Sequence, residues 1–300
     1  MKFGLQISSF SWPGGARELG PTLARVAGTA DDAGFDSIWV MDHLFQIRSV
    51  GAADEPMLEG WTALGFLAGH TRRARLGLMV GGIHYRDPGI WIKAASTLDV
   101  VSDGRAWLGL GAGWNQQESE GLGFDFPSLG TRFEMLEETL EMAHQMFEEP
   151  LGTQGRHEGK HYHATRLLNS PQSISRPRVP IMIGGGGEQK TLRLVAQYGD
   201  ACNVGWGNPE SIVHKLEVLR GHCDALGRPY DDIERTTLVG GIRIANDGGE
   251  RTYAPQQLID YFGELADVGV QHVLFSVRDV FETDQLELFG SAVIPALRHV

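Results

Sequence analysis

The chain has 300 residues, of which 42% are hydrophobic and 21% charged, enough apolar material for one large barrel or two ordinary domains and too much for a disordered or fibrous chain. Lysine and arginine number 26 against 38 aspartate and glutamate, and the formal net charge of −12 disfavours nucleic acid and anionic membrane as partners. Cys202 and Cys223 make neither a disulfide framework nor a metal-ligand set, no window has the ~20 apolar residues that cross a bilayer, and the first residues lack a signal-peptide layout, so a cytoplasmic enzyme is expected.

In chain order, apolar runs that read as strands alternate with segments of helical period. The predicted order is strand 3–7, helix 19–33, strand 37–41, helix 60–70, strand 74–82, helix 90–102, strand 105–113, helix 133–147, strand 179–185, helix 188–198, strand 200–205, helix 209–226, strand 235–242, helix 255–268 and strand 272–277. Several strands are apolar on successive residues, as parallel strands covered on both faces are. Eight strands alternating with helices in this length predict an α/β fold, a closed (β/α)8 TIM barrel forming one domain over 1–300. The rhythm breaks over 114–178, which reads as an insertion at the barrel mouth rather than a second core. Barrel chemistry gathers at the carboxyl ends of the strands, and glycine or polar residues stand at nearly all of those ends here.

Three of these strand ends carry candidate chemistry. VPIMIGGGGEQK runs from a buried strand into Gly184, Gly185, Gly186 and Gly187 and then a helix, an arrangement that offers backbone N–H groups to a phosphate. WVMDHLF places Asp42 and His43 after the second strand, where His43 can move a proton and Asp42 can fix a loop or the ring's tautomer. LMVGGIHYRDP places Gly81 and Gly82 at the end of the third strand, which fits either the close approach of a flat ligand or a barrel-corner bend. Trp114 in GAGW fits either a ring cover or a plug of the mouth. His157, His161 and His163 lie in a polar stretch without carboxylates at ligand spacing beyond Glu158, so no metal is assigned. Glu134, Glu137, Glu138 and Glu141 read as the exposed face of the 133–147 helix, and Cys202 as a small buried hydrophobe.

In this order, AGFDSIWVMDHLF, ADEPMLEGWTALGFLAG, ARLGLMVGGIHYRDP, DGRAWLGLGAGWNQQESEGLGFDFP, TRFEMLEETLEM, PIMIGGGGEQKTLRLVAQYGDACN and LADVGVQHVLFSV resemble the luciferase-like monooxygenase superfamily. Within it the likeness is to oxidoreductases that use the deazaflavin coenzyme F420. The resemblance covers nearly the whole chain and implies the same barrel, with its insertion after strand 4. It implies Asp42 and His43 as catalytic residues beside the redox centre. It implies a cofactor ring near Leu78, Met79 and Gly81, with a non-proline cis peptide at Leu78 to Met79, and near the turn Gly111, Ala112, Gly113 and Trp114. It implies the cofactor phosphate at Gly184, Gly185, Gly186 and Gly187. Some deazaflavin relatives carry a glutamate where this chain has Trp114, and Glu118 comes four residues too late to replace it directly.

The implied activity is hydride transfer between coenzyme F420 and a small organic substrate in a homodimer. His43 hydrogen-bonds at the transferred hydride or supplies the accompanying proton. The loops 45–57 and 114–178 then set the substrate, and a local basic strip, with Arg48, Lys160 and Arg166 as candidates, meets the cofactor's acidic tail. The alternatives are an FMN-dependent monooxygenase of the same superfamily, a barrel lyase or isomerase of a phosphorylated metabolite, and a binding protein without turnover.

Overall fold

The computed structural model describes residues 1–148, 155–250 and 252–299. Its main sheet has nine segments, all paired in parallel. Arg75–Leu78 and Gly81–Gly82 are one strand interrupted at Met79 and Val80, so eight strands make the barrel. These are β1 (Lys2–Ile7), β2 (Ser37–Val40), β3 (Arg75–Leu78 with Gly81–Gly82), β4 (Ala106–Gly111), β5 (Ile181–Gly184), β6 (Ala201–Asn203), β7 (Glu234–Ile242) and β8 (His272–Val277). The ladder runs β3-β2-β1-β8-β7-β6-β5-β4 and closes where Leu76 and Gly77 of β3 pair with Ala106 and Trp107 of β4. The (β/α)8 barrel expected from the alternating pattern is therefore present.

The strands are covered by α1 (Ala16–Asp32), α2 (Gly60–His70), α3 (Pro88–Val101), α5 (Leu129–Glu148), α6 (Thr191–Tyr198), α7 (Pro209–Leu226) and α8 (Pro255–Asp267), with α4 (Gln116–Leu122) between β4 and α5. Local chemistry explains several boundaries. Proline opens α3, α7 and α8, where its missing N–H is no loss. Glu59 caps α2 by accepting from the Trp61 and Thr62 amides. Asn208 caps α7 through Ser211, and Gly227 ends that helix at φ 66°. After β8 the chain closes with α9 (Asp284–Leu288), a π-turn and α10 (Ile294–Leu297), which the sequence pattern did not reveal. Among the described residues no helix is long and apolar enough to cross a membrane.

Two apolar cores result. One lies between sheet and helices; the other, inside the barrel, is built from Trp39, Met79, Trp107, Met182, Ala201, Leu238 and Leu274. At the amino-terminal end of the barrel a polar chain closes the floor. The Trp39 indole N–H donates to Ser37 Oγ (2.6 Å), Ser37 Oγ meets His272 Nε2 (2.9 Å), and His272 Nδ1 meets Glu234 Oε1 (2.8 Å). Gly4 leaves room for it, since a methyl there would lie 2.5 Å from Ser37 Oγ.

The 114–178 region is less of an insertion than expected. Its long helix, α5, packs against α3 and α6 as a regular member of the outer ring. The additions are α4 and a short antiparallel ribbon, His157–Glu158 with His163–Ala164; residues 149–154 of the expected insertion lie outside the described residues. The glutamates of α5 are not simply a solvated face. Glu138 accepts the amides of Lys160, His161 and Tyr162, and Glu134 meets Lys160 Nζ (2.9 Å) and His161 Nε2 (2.7 Å), which pins the ribbon to the helix. Cys202 is fully buried, as expected, and burial pushes its thiol up to about 12.

Candidate active site at the barrel mouth

The chain leaves β2 through Asp42 and His43, and these neighbours do different work. Asp42 is 3% exposed, and its two oxygens receive the Arg86 guanidinium side on, Oδ2 from Nη1 at 2.9 Å and Oδ1 from Nη2 at 2.8 Å. Oδ2 also accepts the Gly82 amide at 3.2 Å, and Arg86 reaches on to Glu59 Oε1 at 2.6 Å while lying over the Trp91 ring. Burial pushes the Asp42 carboxyl up against the pull of Arg86. Asp42 therefore ties the end of β2 to β3 and α2. This geometry matches the loop-fixing role that was one of the roles expected for Asp42.

His43 is held from one side. Its Nδ1 lies 2.5 Å from Glu118 Oε1, its ring stands 5.4 Å from that of Trp114 at 70°, and Nε2 has no hydrogen-bond partner among the described residues. Glu118, on α4, is fully buried and saturated: Oε1 also accepts the Tyr85 hydroxyl, and Oε2 accepts the Leu44 (2.8 Å) and Phe45 (3.1 Å) amides. Burial works to raise this carboxyl. The hydrogen bonds from His43, Tyr85 and Phe45 and the charge of His43 outweigh it and hold the group at about 2. Burial and Glu118 together push the Tyr85 phenol up, so it stays a donor. Glu118 is the site residue that sequence reasoning passed over. Nothing in WNQQES marks a glutamate that reaches back 75 positions to a histidine.

His84 forms a second fixed histidine. Ser119 Oγ donates to the Asn115 carbonyl (2.9 Å), so His84 Nε2, 2.8 Å away, is the donor to Ser119. Burial, with Arg132 nearby, lowers this imidazole to about 4. Above it sits the turn Gly111, Ala112, Gly113 and Trp114. Arg132 on α5 holds that turn by donating to the Ala112 carbonyl at 2.9 Å, and it stacks on Phe126. Gly113 has φ 73°, and a methyl there would strike the His84 ring at 2.5 Å. Trp114 is 62% exposed, so it covers His43 from the solvent side and does not plug the barrel.

Most of the glycines at this rim make room for protein rather than for a ring. A methyl on Gly81 would meet Trp91 at 2.4 Å, and one on Gly82 would meet Tyr85 at 2.6 Å. Methyls on Gly111 and Gly184 would lie 2.9 and 2.7 Å from Val80 Cγ2. Packing against Trp91 and Tyr85 is thus enough to require glycine at both positions. Leu78 is fully buried and its side chain packs toward Gly60 of α2, so it is corrected as a cofactor contact. Met79 lies in the barrel interior, and the non-proline cis peptide falls at Met79–Val80, one step later than the resemblance implied.

The run after β5 is open. Gly185, Gly186 and Gly187 are exposed, and a methyl on Gly186 would meet nothing nearer than Lys215 Cε at 3.6 Å. Gly185 donates to Asn203, whereas the amides of Gly186, Gly187 and Glu188 have no partner among the described residues. Helix α6 starts at Thr191, so the loop is longer than the predicted helix over 188–198 implied. Lys215 and His214 stand beside it, both paired with Glu188 at 2.5 and 3.0 Å. Unpartnered amides beside an exposed glycine run suit an anion such as a phosphate. Of the suggested tail contacts, Lys160 is engaged by Glu134.

Fold and rim together define a TIM-barrel protein with a fixed histidine and an anion-receptive loop at the carboxyl ends of its strands. Solved structures share the whole architecture. Coenzyme F420 dependent tetrahydromethanopterin reductase from Methanopyrus kandleri has a TM-score of 0.77 at 18% identity, covering 98% of both chains, and an F420-dependent secondary alcohol dehydrogenase has 0.81 at 18%, covering 99% of both. A monooxygenase from Streptomyces bottropensis has 0.82 at 18%, covering 98% of this chain and 99% of its own. A family profile described as luciferase-like monooxygenase matches residues 1–260, and the chain belongs to that family. Among curated relatives, F420-dependent glucose-6-phosphate dehydrogenase of Nakamurella multipartita is 31% identical over 75% of this chain and 65% of its own length. The 5,10-methylenetetrahydromethanopterin reductase of Archaeoglobus fulgidus is 30% identical over 65% of this chain and 51% of its own length. The chain thus spans less than two thirds of the length of either relative.

Proposed function

We propose that this protein is an F420-dependent oxidoreductase that moves a hydride between the deazaflavin and a small organic substrate at the barrel mouth. The observation that carries this reading is the pairing, at one rim, of a histidine with a free Nε2 and a glycine loop with free amides. The printed activities of the Nakamurella and Archaeoglobus relatives support the deazaflavin over other cofactors. When bound, the cofactor would supply the hydride chemistry; the protein supplies position and a proton partner. The amides of Gly186, Gly187 and Glu188 would hold its phosphate, with Lys215 as the neighbouring cation. His43 would take the proton from a substrate hydroxyl at Nε2, or return it in the reverse direction. Trp114 and the loop before α2 border the substrate space.

The second reading is an FMN-dependent monooxygenase, favoured by the description of the family profile. Anaerobic mixing with F420 and a panel of alcohols and sugar phosphates separates the two. Loss of the oxidised deazaflavin band supports the proposal; turnover only with reduced FMN and oxygen supports the alternative. A homodimer belongs to the same proposal. Helix α2 is apolar around its circumference yet leaves Phe66 exposed, and α3 beside it exposes Ile90 and Val101. Sedimentation checks this. A cytoplasmic location is also part of the proposal, checked by cell fractionation.

A further inference from the structure

We infer that Glu118 is the positioning residue of His43: it fixes the imidazole in the tautomer with hydrogen on Nδ1 and leaves the Nε2 lone pair facing the mouth. The inference rests on the proposed hydride-transfer reading for its kinetic consequence, but not for its structural one.

Hydrogen-bond direction around Glu118 carries it. The carboxylate is buried and ionised, so it can only accept. Its Oε2 is taken by two backbone amides, Leu44 and Phe45, which are donors without alternative. Its Oε1 accepts from the Tyr85 hydroxyl, which leaves His43 Nδ1 facing an acceptor at 2.5 Å. A neutral imidazole in that place must put its proton on Nδ1, and its other nitrogen becomes a lone pair. Nδ1 is held at Glu118, and the Trp114 ring stands edge-on to the imidazole. The same carboxylate fixes the two residues that follow His43. Ring orientation and loop position are set together before any ligand arrives.

A Glu118→Gln substitution reverses the polarity without removing the side chain. The amide oxygen stays with the Leu44 and Phe45 amides, so the NH2 group falls where Oε1 was. It then donates to His43 Nδ1, which must become the acceptor, and the ring proton moves to Nε2. In a histidine–carboxylate pair, a swap of this kind with geometry kept costs up to about 10⁴-fold in kcat.

The test uses the full chain labelled with 15N at histidine, without cofactor, and reads the tautomer of His43 from its two ring-nitrogen shifts above the titration range, with His43→Gln for assignment. The expected result is hydrogen on Nδ1 in the wild type and on Nε2 in Glu118→Gln. Hydrogen on Nε2 in the wild type, or no change in the variant, overturns the inference; the wild-type spectrum alone decides if the variant does not fold. In the active enzyme, Glu118→Gln should lower kcat by about 10²- to 10⁴-fold and leave the F420 Kd within about twofold. In a His43→Ala background the same change should cost little further, because the two residues act as a unit. A wild type with the expected tautomer but no affinity for F420 would overturn the proposed function and leave this inference standing.

Discussion

Val80 fills the space that a side chain on Gly184 would need: a methyl there would lie 2.7 Å from Val80 Cγ2, and one on Gly111 would lie 2.9 Å from the same atom. The interruption of β3 thus projects a branched residue across the barrel end, and β4 and β5 present glycine where it passes. Gly184→Ala should destabilise the fold by about 1 to 3 kcal/mol through overpacking. Val80→Ala should relieve part of that loss, giving a coupling of about 0.5 kcal/mol or more in a denaturant double-mutant cycle. Additive effects would mean that the two residues do not share this space.

Arg86→Ala should be among the more damaging single changes. It leaves the Asp42 carboxylate buried without its ion-pair partner, and removal of one member of such a pair costs about 3 to 5 kcal/mol. The double change with Asp42→Asn should recover part of the loss. Urea unfolding of the three variants checks this; a mild Arg86→Ala phenotype would mean that Asp42 finds another partner or water.

Acid should act in two windows. His84 has its proton affinity lowered to about 4 in the folded protein, so the unfolded chain binds more protons below the usual histidine value, and this stability, complete above about 6.5, is lost as pH falls toward 4. Glu118 and Glu234 are both held at about 2, so their contribution is complete above about 4.5 and is lost as pH falls toward 2. Unfolding free energy measured from pH 8 to 3 should decline across both ranges. His84→Phe should flatten the upper slope, and Glu234→Gln the lower one. Slopes unchanged by these variants would contradict the assignment.

His43→Ala should reduce turnover by about 10²- to 10⁴-fold and also cost about 1 to 3 kcal/mol of stability, because the buried Glu118 carboxylate loses its Nδ1 donor. Steady-state kinetics beside a thermal scan separates the two effects. Full activity in the variant would remove His43 from the chemistry.

What the sequence revealed and what it hid follow the range of the interactions. Alternating apolar runs were enough for the barrel, because strand and helix periodicity are local, and the strand-end rule led to Asp42, His43 and the glycine loop. The partners that fix Asp42 and His43 were not legible, since Arg86 and Glu118 reach them from 44 and 75 positions away. Glycine carried the least transferable signal. Gly81, Gly111 and Gly184 give way to Trp91 and Val80, whereas Gly186 opens to solvent, and only the folded neighbours tell these apart.

The most direct test of the account is a parallel titration of the purified protein with F420 and with FMN, repeated on Gly186→Trp, which places bulk at the open loop after β5. The account predicts saturable binding of F420, weaker binding of FMN, and at least tenfold loss of F420 affinity in the variant, a difference of about 1.4 kcal/mol. Binding of neither cofactor, or F420 binding that ignores Gly186→Trp, would contradict it.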